Sequence, residues 1–356
     1  MVVMSKVVVG MSGGVDSAVT AYLLQLAGYE VIGLTLRNWV AADGQESRCC
    51  EIDDARRVCD SLGIPYYVRN CFSTFQEKVI DPFVDDYLHG RTPNPCVICN
   101  RVLKWEEMLS FASSMGAEYV ATGHYAFVEQ LDNGRYSVKM ASHAQKDQTY
   151  MLYRLTQEQL AVTLMPLGKL SKDEVRDIAE KAKLPVANKP DSQEICFVTD
   201  GDYANYIVEN TTAEIPGEGN FVDEDGKVLG THKGIIHYTV GQRKGLGIAL
   251  GAPAYVKRID VDKNEVVLAS EDAIYSEKIT CHDVNFLSIP PMEEGDKVSA
   301  YVKIRYHHKA QKATLELANN NEIVITFDEP VKAATPGQSA VFYDENNYVI
   351  GGGIIR

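Results

Sequence analysis

Short apolar runs alternate with longer amphipathic stretches along the first part of the chain. The runs VVVG, EVIGLTLRN, IPYYVRN and AEYVATGH, which begin at residues 7, 30, 64 and 117, predict four strands. Between them, apolar residues recur at helical spacing, as in IDDARRVCDSLG at 52–63, which ends at a glycine. Strands that alternate with helices predict an α/β fold, a parallel sheet with helices on both faces.

Further helices are predicted at 75–89, 147–164 and 171–182. The pattern changes in the second part of the chain. From about Ile215 the sequence consists of short alternating runs punctuated by Gly, Pro, Asn and Asp, such as VDEDGKVLG and YDENNYVIGGG. These runs predict β-hairpins, and hence one or two small β-domains, with boundaries near 210 and 276.

Composition and charge narrow the class of protein. The chain has 356 residues, of which 45% are hydrophobic and 24% charged, as is typical of soluble globular proteins. Without a long apolar run or a signal peptide, we expect no membrane span and a cytoplasmic location. The net charge of −14 argues against nucleic-acid binding by the whole surface. The stretch YVKIRYHHKAQK at 301–312 is either a local basic patch or a solvated strand face.

The cysteines raise the first chemical question. Eight cysteines are too few for a disulfide scaffold. The C-x-x-C pair in TPNPCVICN at 92–100 could be half of a zinc site, a redox dithiol or part of a catalytic sulfur centre, although a zinc site would lack a fourth ligand. We predict Cys59 and Cys281 as core residues, and Cys99 and Cys196 as exposed thiols in polar loops beside prolines. The prolines predict a rigid extended loop at 92–100.

The segment GMSGGVDS at 10–17 lies between a predicted strand and a predicted helix. Its glycines let the backbone approach an anion closely, and the start of the helix offers N–H groups to a phosphate. It lacks the lysine of the P-loop and the third glycine of the dinucleotide fingerprint. It resembles the S-G-G-x-D-S pyrophosphate loop (PP-loop) of the ATP pyrophosphatases, with an ordinary strand-to-helix turn as the alternative.

Longer segments make the resemblance more specific. GRTPNPCVICN, KDQTYMLYRL, KPDSQEICF and YTVGQRKGLGI together resemble the bacterial tRNA-specific 2-thiouridylase family over nearly the full length of the chain. The resemblance implies an adenine nucleotide alpha hydrolase-like PP-loop ATP pyrophosphatase domain at 1–210 and a central β-domain at 211–275. It implies a C-terminal β-barrel at 276–356 that contacts tRNA.

The same resemblance assigns roles to individual residues. It implies catalytic roles for Cys99 and Cys196, with persulfide sulfur carried by Cys196. Residues implied to bind ATP are Gly10, Met11, Ser12, Gly13, Gly14, Val15, Asp16, Ser17, Leu36 and Gly123. Residues implied to contact tRNA or the target base are Asn94, Pro95, Cys96, His124, Lys146, Asp147, Gln148, Arg305, Tyr306 and Gln338.

The implied reaction adenylates the wobble uridine in the anticodon region of tRNA with ATP and Mg²⁺. Persulfide sulfur from Cys196 then reaches the activated carbon, directly or as hydrosulfide released by Cys99, and gives 2-thiouridine, AMP and pyrophosphate. A Cys99–Cys196 disulfide remains and must be reduced. The resemblance implies a cysteine desulfurase, acting through a sulfur-relay protein, as the sulfur donor. We expect a monomer that binds no membrane.

Cys96 departs from the family pattern, because many members carry Asp there as a proposed general acid or base. Cys96, Cys99 and Cys196 could instead hold a [4Fe-4S] cluster with one open iron site. Alternatively, the three thiols take part in dithiol chemistry without a cluster. Cys49 and Cys50 are interpreted as a lid-loop feature. Two rival functions stay open: an amide-forming adenylating enzyme, which would not need Cys196, and an RNA-binding protein with a relic nucleotide fold, against which the intact PP-loop argues.

Overall fold

The computed structural model describes residues 4–39, 51–190, 195–198, 201–318 and 322–356. Cys49 and Cys50, predicted as a lid-loop feature, lie outside the described residues. The chain divides into two compact units, one comprising 1–79, 96–201 and 346–349 and the other 80–95, 202–345 and 350–356. Across the described ranges, no helix is both long enough and apolar enough to span a membrane.

The first unit contains a parallel sheet and a separate hairpin. The strands of the unit are β1 (Lys6–Gly10), β2 (Glu30–Arg37), β3 (Tyr66–Asn70), β4 (Tyr119–Ala121), β5 (Ala126–Gln130), β6 (Tyr136–Met140) and β7 (Thr163–Leu164). The sheet order is β3-β2-β1-β4-β7, with every neighbouring pair parallel, while β5 and β6 form a separate antiparallel hairpin. All four strands predicted from apolar runs are confirmed. The central strand β1 is buried through Val7, Val8 and Val9, as expected of a parallel strand that is covered on both faces.

The α-helices of the described chain are α1 (Val15–Leu26), α2 (Ile52–Leu62), α3 (Phe72–Phe75), α4 (Asp81–Leu88), α5 (Pro95–Cys99), α6 (Glu106–Ser114), α7 (Gln157–Ala161), α8 (Lys172–Lys181) and α9 (Tyr203–Glu209). Helix α2 ends as predicted, because Gly63 takes a left-handed conformation with φ of 65°. Helix α8 matches the prediction at 171–182, and a capping box between Ser171 and Glu174 defines its start. Cys59, on α2, is fully buried as predicted.

The predicted helix at 147–164 is wrong. The structure has a 3₁₀ turn at Thr149–Met151, the short helix α7 and then strand β7. A second capping box, between Thr156 and Gln159, starts α7 in the middle of the predicted helix. After α7, the buried Thr163 hydroxyl accepts a 2.7 Å hydrogen bond from the indole of Trp105, which helps to hold this short edge strand beside β4.

The predicted extended loop at 92–100 is wrong from Pro95 onward, because α5 begins there and continues through a π-helical turn, Asn100–Trp105, into α6. Proline is tolerated in the first turn of a helix, where no intrahelical N–H bond is lost. The helix predicted at 75–89 is interrupted: a π-helical turn at Gln76–Ile80 separates α3 from α4.

The second unit contains the β-structure predicted beyond residue 215. The remaining strands are β8 (Gly219–Val222), β9 (Val228–His232), β10 (Tyr255–Asp260), β11 (Glu265–Ala269), β12 (Tyr275–Phe286), β13 (Lys297–Lys303), β14 (Gln311–Ala318), β15 (Glu322–Lys332), β16 (Ser339–Tyr343) and β17 (Val349–Ile355). Strands β8 to β11 form a sheet in the order β10-β11-β8-β9. Strands β12 to β17 close into a barrel, which confirms the predicted C-terminal barrel. Cys281 is fully buried in its core.

The hydrogen bond between Trp105 and Thr163 gives the first testable prediction. Thr163→Val keeps the branched shape but leaves the buried indole N–H without an acceptor, so we expect the free energy of unfolding to fall by about 1–3 kcal/mol. Thr163→Ser keeps the hydroxyl and serves as the control, with a smaller loss. Urea unfolding of the two variants and the parent measures the difference, and equal losses would contradict a role for this hydrogen bond.

Candidate functional site

A cavity of about 200 Å³ opens in the first unit beside the C-terminal ends of β1, β2 and β4. Its lining consists of Gly10, Met11, Ser12, Asp16, Ser17, Leu36, Asn38, Lys104, Met108, Thr122, Gly123, His124 and Gln148. The cavity thus gathers most of the residues predicted for ATP, together with two predicted for tRNA. Sequence reasoning missed Asn38, Lys104, Met108 and Thr122 as lining residues. The C-terminal edge of a parallel sheet is where α/β folds commonly bind ligands.

Serine hydroxyls fix the shape of the PP-loop. The Ser12 N–H donates to Ser17 Oγ at 3.2 Å, and the Gly14 N–H donates to Ser12 Oγ at 3.3 Å. The Ser17 hydroxyl in turn donates to the Gly14 carbonyl at 3.0 Å. Because the N-cap of α1 is Gly14, no side chain at the cap position accepts from the N–H groups of the first helical turn. An anion could bind to these N–H groups.

Gly123 allows β4 to end directly against the start of α1. A Cβ atom at this position would lie 2.9 Å from the Asp16 carbonyl carbon and 2.9 Å from the Ser17 nitrogen. Real Cβ atoms do not approach backbone so closely, so any larger residue would displace the loop. The requirement for glycine therefore comes from a close approach and not from a special backbone angle.

The Asp16 carboxylate is held from two sides. The Tyr125 hydroxyl donates to Oδ1 at 2.7 Å, and Lys172 Nζ lies 2.8 Å from Oδ1 and 2.9 Å from Oδ2. Lys172 is the first residue of α8, directly after the capping Ser171. Sequence reasoning assigned no role to Lys172, although a lysine beside an N-cap serine is unusual enough to mark it, since helix N-termini favour acidic residues.

A second lysine reaches the PP-loop from the segment that precedes Cys196. Lys189 Nζ donates to the Gly13 carbonyl at 3.1 Å and forms ion pairs with the carboxylates of Glu51 and Asp54. Helix α2 starts at these two acids. Lys189 thereby connects the PP-loop to α2. It opens the KPDSQEICF segment, but the sequence did not predict this contact.

His124 lies in the cavity as a neutral imidazole. Its Nδ1 is 2.8 Å from the Thr122 hydroxyl, and its ring centroid is 5.7 Å from that of Trp105. Burial, together with the nearby Lys104 ammonium, lowers the pKa of His124 to about 3. At neutral pH the ring therefore acts as a hydrogen-bonding group without charge.

Two residues of the KDQ segment hold local structure. Asp147 is buried, and its two carboxylate oxygens accept from the Ala141 N–H at 3.1 Å and the Thr149 hydroxyl at 2.8 Å. The Gln148 side chain accepts from the Tyr125 N–H at 3.0 Å. Lys146 is half-buried at the end of a 3₁₀ turn. The tRNA contacts predicted for this segment stay predictions.

Cys99 is buried, with 7% exposure, at the end of α5, so the prediction of an exposed loop thiol is wrong. The next residue, Asn100, is also buried and donates to the Met151 carbonyl at 3.0 Å. Cys96 and Cys196 are half-buried. After Cys196, the Phe197 ring packs edge-on against Phe75 with centroids 5.6 Å apart, which anchors this side of the segment.

The proposed cluster ligands do not form a metal site in this arrangement. Among the residues that the structure describes, no three His, Cys, Asp or Glu side chains are gathered so that they could hold a metal ion. Cys96, Cys99 and Cys196 are all within the described ranges. As arranged here, the three thiols are not gathered into the ligand set that a [4Fe-4S] cluster needs.

Other residues predicted to contact tRNA lie in the second unit. Arg305 donates through Nη2 to the carbonyls of Val240 and Ala333 at 2.8 and 3.1 Å, and also contacts the Thr335 hydroxyl. Gln338 donates to backbone carbonyls of the TPNP segment, to which Asn94 and Pro95 belong. Tyr306 is half-buried, with its ring 4.6 Å from that of His307.

Comparisons with known proteins cover almost the whole chain. Residues 5–200 match the family model described as the tRNA methyl transferase HUP domain. Residues 204–270 match the tRNA methyl transferase PRC-barrel domain, and residues 276–355 match the aminomethyltransferase beta-barrel domain. These descriptions refer to methyl transfer, whereas the full-length relatives have a different name.

The tRNA-specific 2-thiouridylase MnmA of Lachnoclostridium phytofermentans is 53% identical over 359 residues, covering 99% of this chain and 99% of that protein. This chain belongs to the tRNA-specific 2-thiouridylase family. The 2-thiouridylase MnmA of Acetivibrio thermocellus is 54% identical, with the same coverage of both chains. The resemblance to this family seen in the sequence motifs is confirmed.

Two solved structures are distant likenesses of this 2-thiouridylase family member. The U34-tRNA thiolase NcsA from Methanococcus maripaludis with its [4Fe-4S] cluster is 23% identical, with a TM-score of 0.35, and covers 54% of this chain and 60% of its own. A 4-thiouridine synthetase–RNA complex with bound ATP is 14% identical, with a TM-score of 0.37, and covers 58% of this chain and 50% of its own. At these scores neither structure carries an argument about the site.

The lowered pKa of His124 predicts a pH dependence of stability. In the unfolded chain histidine binds a proton below about pH 6.5, whereas the folded His124 does so only near pH 3. Between these values the unfolded state binds more protons, so acid destabilises the fold. We expect the parent to lose on the order of 1–2 kcal/mol relative to His124→Gln between pH 7 and pH 5. Denaturant unfolding at both pH values measures this loss, and parallel curves would contradict a buried neutral His124.

Proposed function

We propose that this protein is a tRNA-uridine 2-sulfurtransferase that consumes ATP and forms 2-thiouridine at the wobble position. The observation that carries the proposal is the GMSGGVDS loop at the end of β1, with its Asp16 carboxylate held by Lys172 beside a cavity. Relatives at least 53% identical over 99% of the chain are named for the same modification. Thiolation of a carbonyl requires a loop that binds the ATP phosphates and cysteines that carry sulfur, and the chain supplies the GMSGGVDS loop together with Cys99 and Cys196.

The first step makes the uracil oxygen a leaving group. The C2 oxygen attacks the α-phosphorus of ATP, the bond from that phosphorus to the pyrophosphate breaks, and an O-adenylated uridine forms. The N–H groups at the start of α1 bind the phosphates, while Leu36 and Gly123 border the adenosine. Lys104, in the cavity lining, adds positive charge near the departing pyrophosphate.

Mg²⁺ accompanies ATP in the proposal. The chemistry of the donors fits it, because the cavity lining contains the Asp16 carboxylate and the hydroxyls of Ser12 and Ser17, and Mg²⁺ prefers oxygen ligands. Bound there, it would neutralise charge on the phosphates. In the present arrangement Lys172 already neutralises Asp16, so Asp16 would have to share its oxygens between the lysine and the metal ion.

The second step transfers sulfur. The terminal sulfur of a persulfide on Cys196 attacks C2, a C–S bond forms, and AMP leaves with the oxygen. The Cys99 thiolate then attacks Cys196 Sγ, which releases 2-thiouridine and leaves a Cys99–Cys196 disulfide. Two electrons from the cysteine pair reduce the sulfane sulfur, so an external thiol must reduce the disulfide. Alternatively, Cys99 attacks the persulfide first and frees hydrosulfide, which attacks C2.

The target uridine leaves the anticodon stack to enter the cavity, as bases do in enzymes that modify them. Asn94, Pro95, Cys96 and Lys146 are proposed to lie near the RNA. A cysteine desulfurase, through a relay protein, supplies the persulfide sulfur. We place the reaction in the cytoplasm, where cysteines stay reduced between turnovers, and propose that a monomer performs it.

Nucleoside analysis tests the function. Unmodified tRNA is incubated with the protein, MgATP, cysteine and a cysteine desulfurase, and is then digested for mass spectrometry. We expect 2-thiouridine at the wobble position, with one AMP formed per sulfur transferred. Absence of the thiolated nucleoside, with tRNA bound, would favour an RNA-binding protein with a relic nucleotide fold.

Cysteine variants separate thiolation from other adenylating reactions. Cys196→Ser should form no 2-thiouridine, yet still release pyrophosphate from ATP in the presence of tRNA, because adenylation does not use sulfur. Full activity of Cys196→Ser would favour an amide-forming synthetase. Cys71→Ala is the matched control and should stay active, because burial raises the pKa of the Cys71 thiol to about 11 and makes it unreactive.

Lys172 provides a test of the ATP site. Lys172→Met leaves the Asp16 carboxylate without its ammonium partner, so its charge repels the triphosphate, and we expect the KM for ATP to rise about tenfold or more. Lys172→Arg should recover part of the affinity. Lys181→Met, at the other end of α8, removes the same charge away from the cavity and should leave KM unchanged. Equal effects of the Lys172 and Lys181 variants would contradict the role.

A further inference from the structure

The segment that leads into α5, the helix that contains Cys96 and Cys99, is hydrogen-bonded to the turn at 336–338, just before β16 of the barrel. We call residues 91–93 the strap. The Thr92 N–H donates to the Pro336 carbonyl at 2.8 Å. The amide nitrogen of Gln338 lies 2.8 Å from the Thr92 carbonyl oxygen and 3.2 Å from that of Pro93. Strap and turn both belong to the second unit.

The amide nitrogen of Gln338 is directed at the strap. It lies within hydrogen-bonding distance of two successive strap carbonyls, which accept from it. The opposite orientation of the amide would set its own oxygen against two carbonyl oxygens, which is repulsive. A hydrogen bond from this nitrogen to RNA would therefore compete with the strap carbonyls.

The turn that carries Gln338 is itself fixed to the barrel. The Gly337 N–H donates to the Ile355 carbonyl at 2.9 Å, and the Ile355 N–H donates to the Gln338 carbonyl at 2.8 Å. Gly337 packs directly on the strap: a Cβ there would lie 3.0 Å from the Thr92 nitrogen and 3.1 Å from Arg91 Cβ. Its φ of 89° also favours glycine. The turn thus offers the strap a rigid support.

The backbone between the strap and α5 is stiff, so restraint of the strap also restrains the start of α5. Beyond the strap come Asn94 and then Pro95, the first residue of α5, which contains Cys96 and Cys99. Prolines at 93 and 95 fix two φ angles, and each also restricts the residue before it. Few soft torsions therefore separate the carbonyls that Gln338 holds from the start of α5.

We propose that Gln338 is a positioning residue for sulfur transfer, which holds the strap and thereby fixes the start of the helix that carries Cys99. The inference deepens the proposed function and rests on it for the role of Cys99. Gln338 acts through the strap backbone and needs no contact with the reacting atoms.

The first test measures the accessibility of Cys99 without tRNA. Gln338→Glu is nearly isosteric but cannot donate when ionised, and it faces two carbonyl oxygens. We expect alkylation of Cys99 by iodoacetamide, followed by peptide mass spectrometry, to be faster by roughly tenfold, because a displaced strap loosens α5. Cys281, fully buried in the barrel, is the internal control and should stay protected. An unchanged Cys99 rate, or a rate that rises together with that of Cys281, would overturn the proposal.

A pair of glycines supplies an independent, matched comparison. Gly337 and Gly295 have similar φ values of 89° and 86°, but a Cβ at Gly295 would meet nothing within 4 Å. Both alanine variants meet a similar unfavourable φ, and only Gly337→Ala presses a methyl group on the strap. Cys99 should become more reactive in Gly337→Ala alone. Equal reactivity of Cys99 in the two variants would count against the strap.

The second test adds tRNA. In single-turnover thiolation at saturating tRNA, Gln338→Glu should lower the rate by about tenfold or more, since small displacements of a reacting group are costly. The Kd for tRNA should change less than about twofold. A higher Kd with an unchanged saturated rate would identify Gln338 as an RNA contact and refute positioning. Because the alkylation test needs neither ATP nor tRNA, failure of the proposed function would not be mistaken for failure of this inference.

Discussion

The arrangement of the PP-loop in the first unit depends on one carboxylate, that of Asp16. Asp16 lies in the first turn of α1, its oxygens accept from Tyr125 just after β4, and its charge is balanced by Lys172 at the start of α8. Three elements that are far apart in the sequence therefore meet at a single group. A partly buried acid without its cation would be costly, so the ion pair and the shape of the loop stabilise each other. Gly123 allows the same convergence by leaving no side chain between β4 and α1.

Burial of Cys99 has a chemical consequence for the proposed reaction. A thiol at 7% exposure is shielded from oxidants and from exchange with other thiols. The same shielding requires that its surroundings open when it reacts. Cys99 lies between a proline-stiffened segment and the buried Asn100, so its position is fixed on both sides. A rigid, shielded thiol suits a resolving step that should happen only after sulfur has been delivered.

The barrel contributes more than a surface. Arg305 draws together the carbonyls of Val240 and Ala333, and Gln338 holds those of Thr92 and Pro93. The family resemblance predicts RNA contacts for both side chains, whereas the hydrogen bonds seen here are made inside the second unit. Contact with RNA and support of the backbone are compatible for Arg305, whose guanidinium has five donors. For Gln338 they compete for the same amide nitrogen.

The sequence by itself determined the α/β class and the positions of β1 to β4 through apolar periodicity, and the family through its motifs, because both are local properties. The closed C-terminal barrel was implied only by the family resemblance. The sequence also marked the loop that borders the cavity. Wherever a long-range contact overrode local preference, the sequence was insufficient. Strand β7 exists where a helix was expected, since Thr163 bonds to Trp105 and pairs with β4.

Helix α5 starts at a proline that suggested a loop, and Cys99 became buried there. Lys172, Lys189 and Lys104 joined the site although the sequence assigned none of them a role there. Only tertiary structure could decide these points, because the partner of each residue is brought near by folding and not by neighbourhood in the chain.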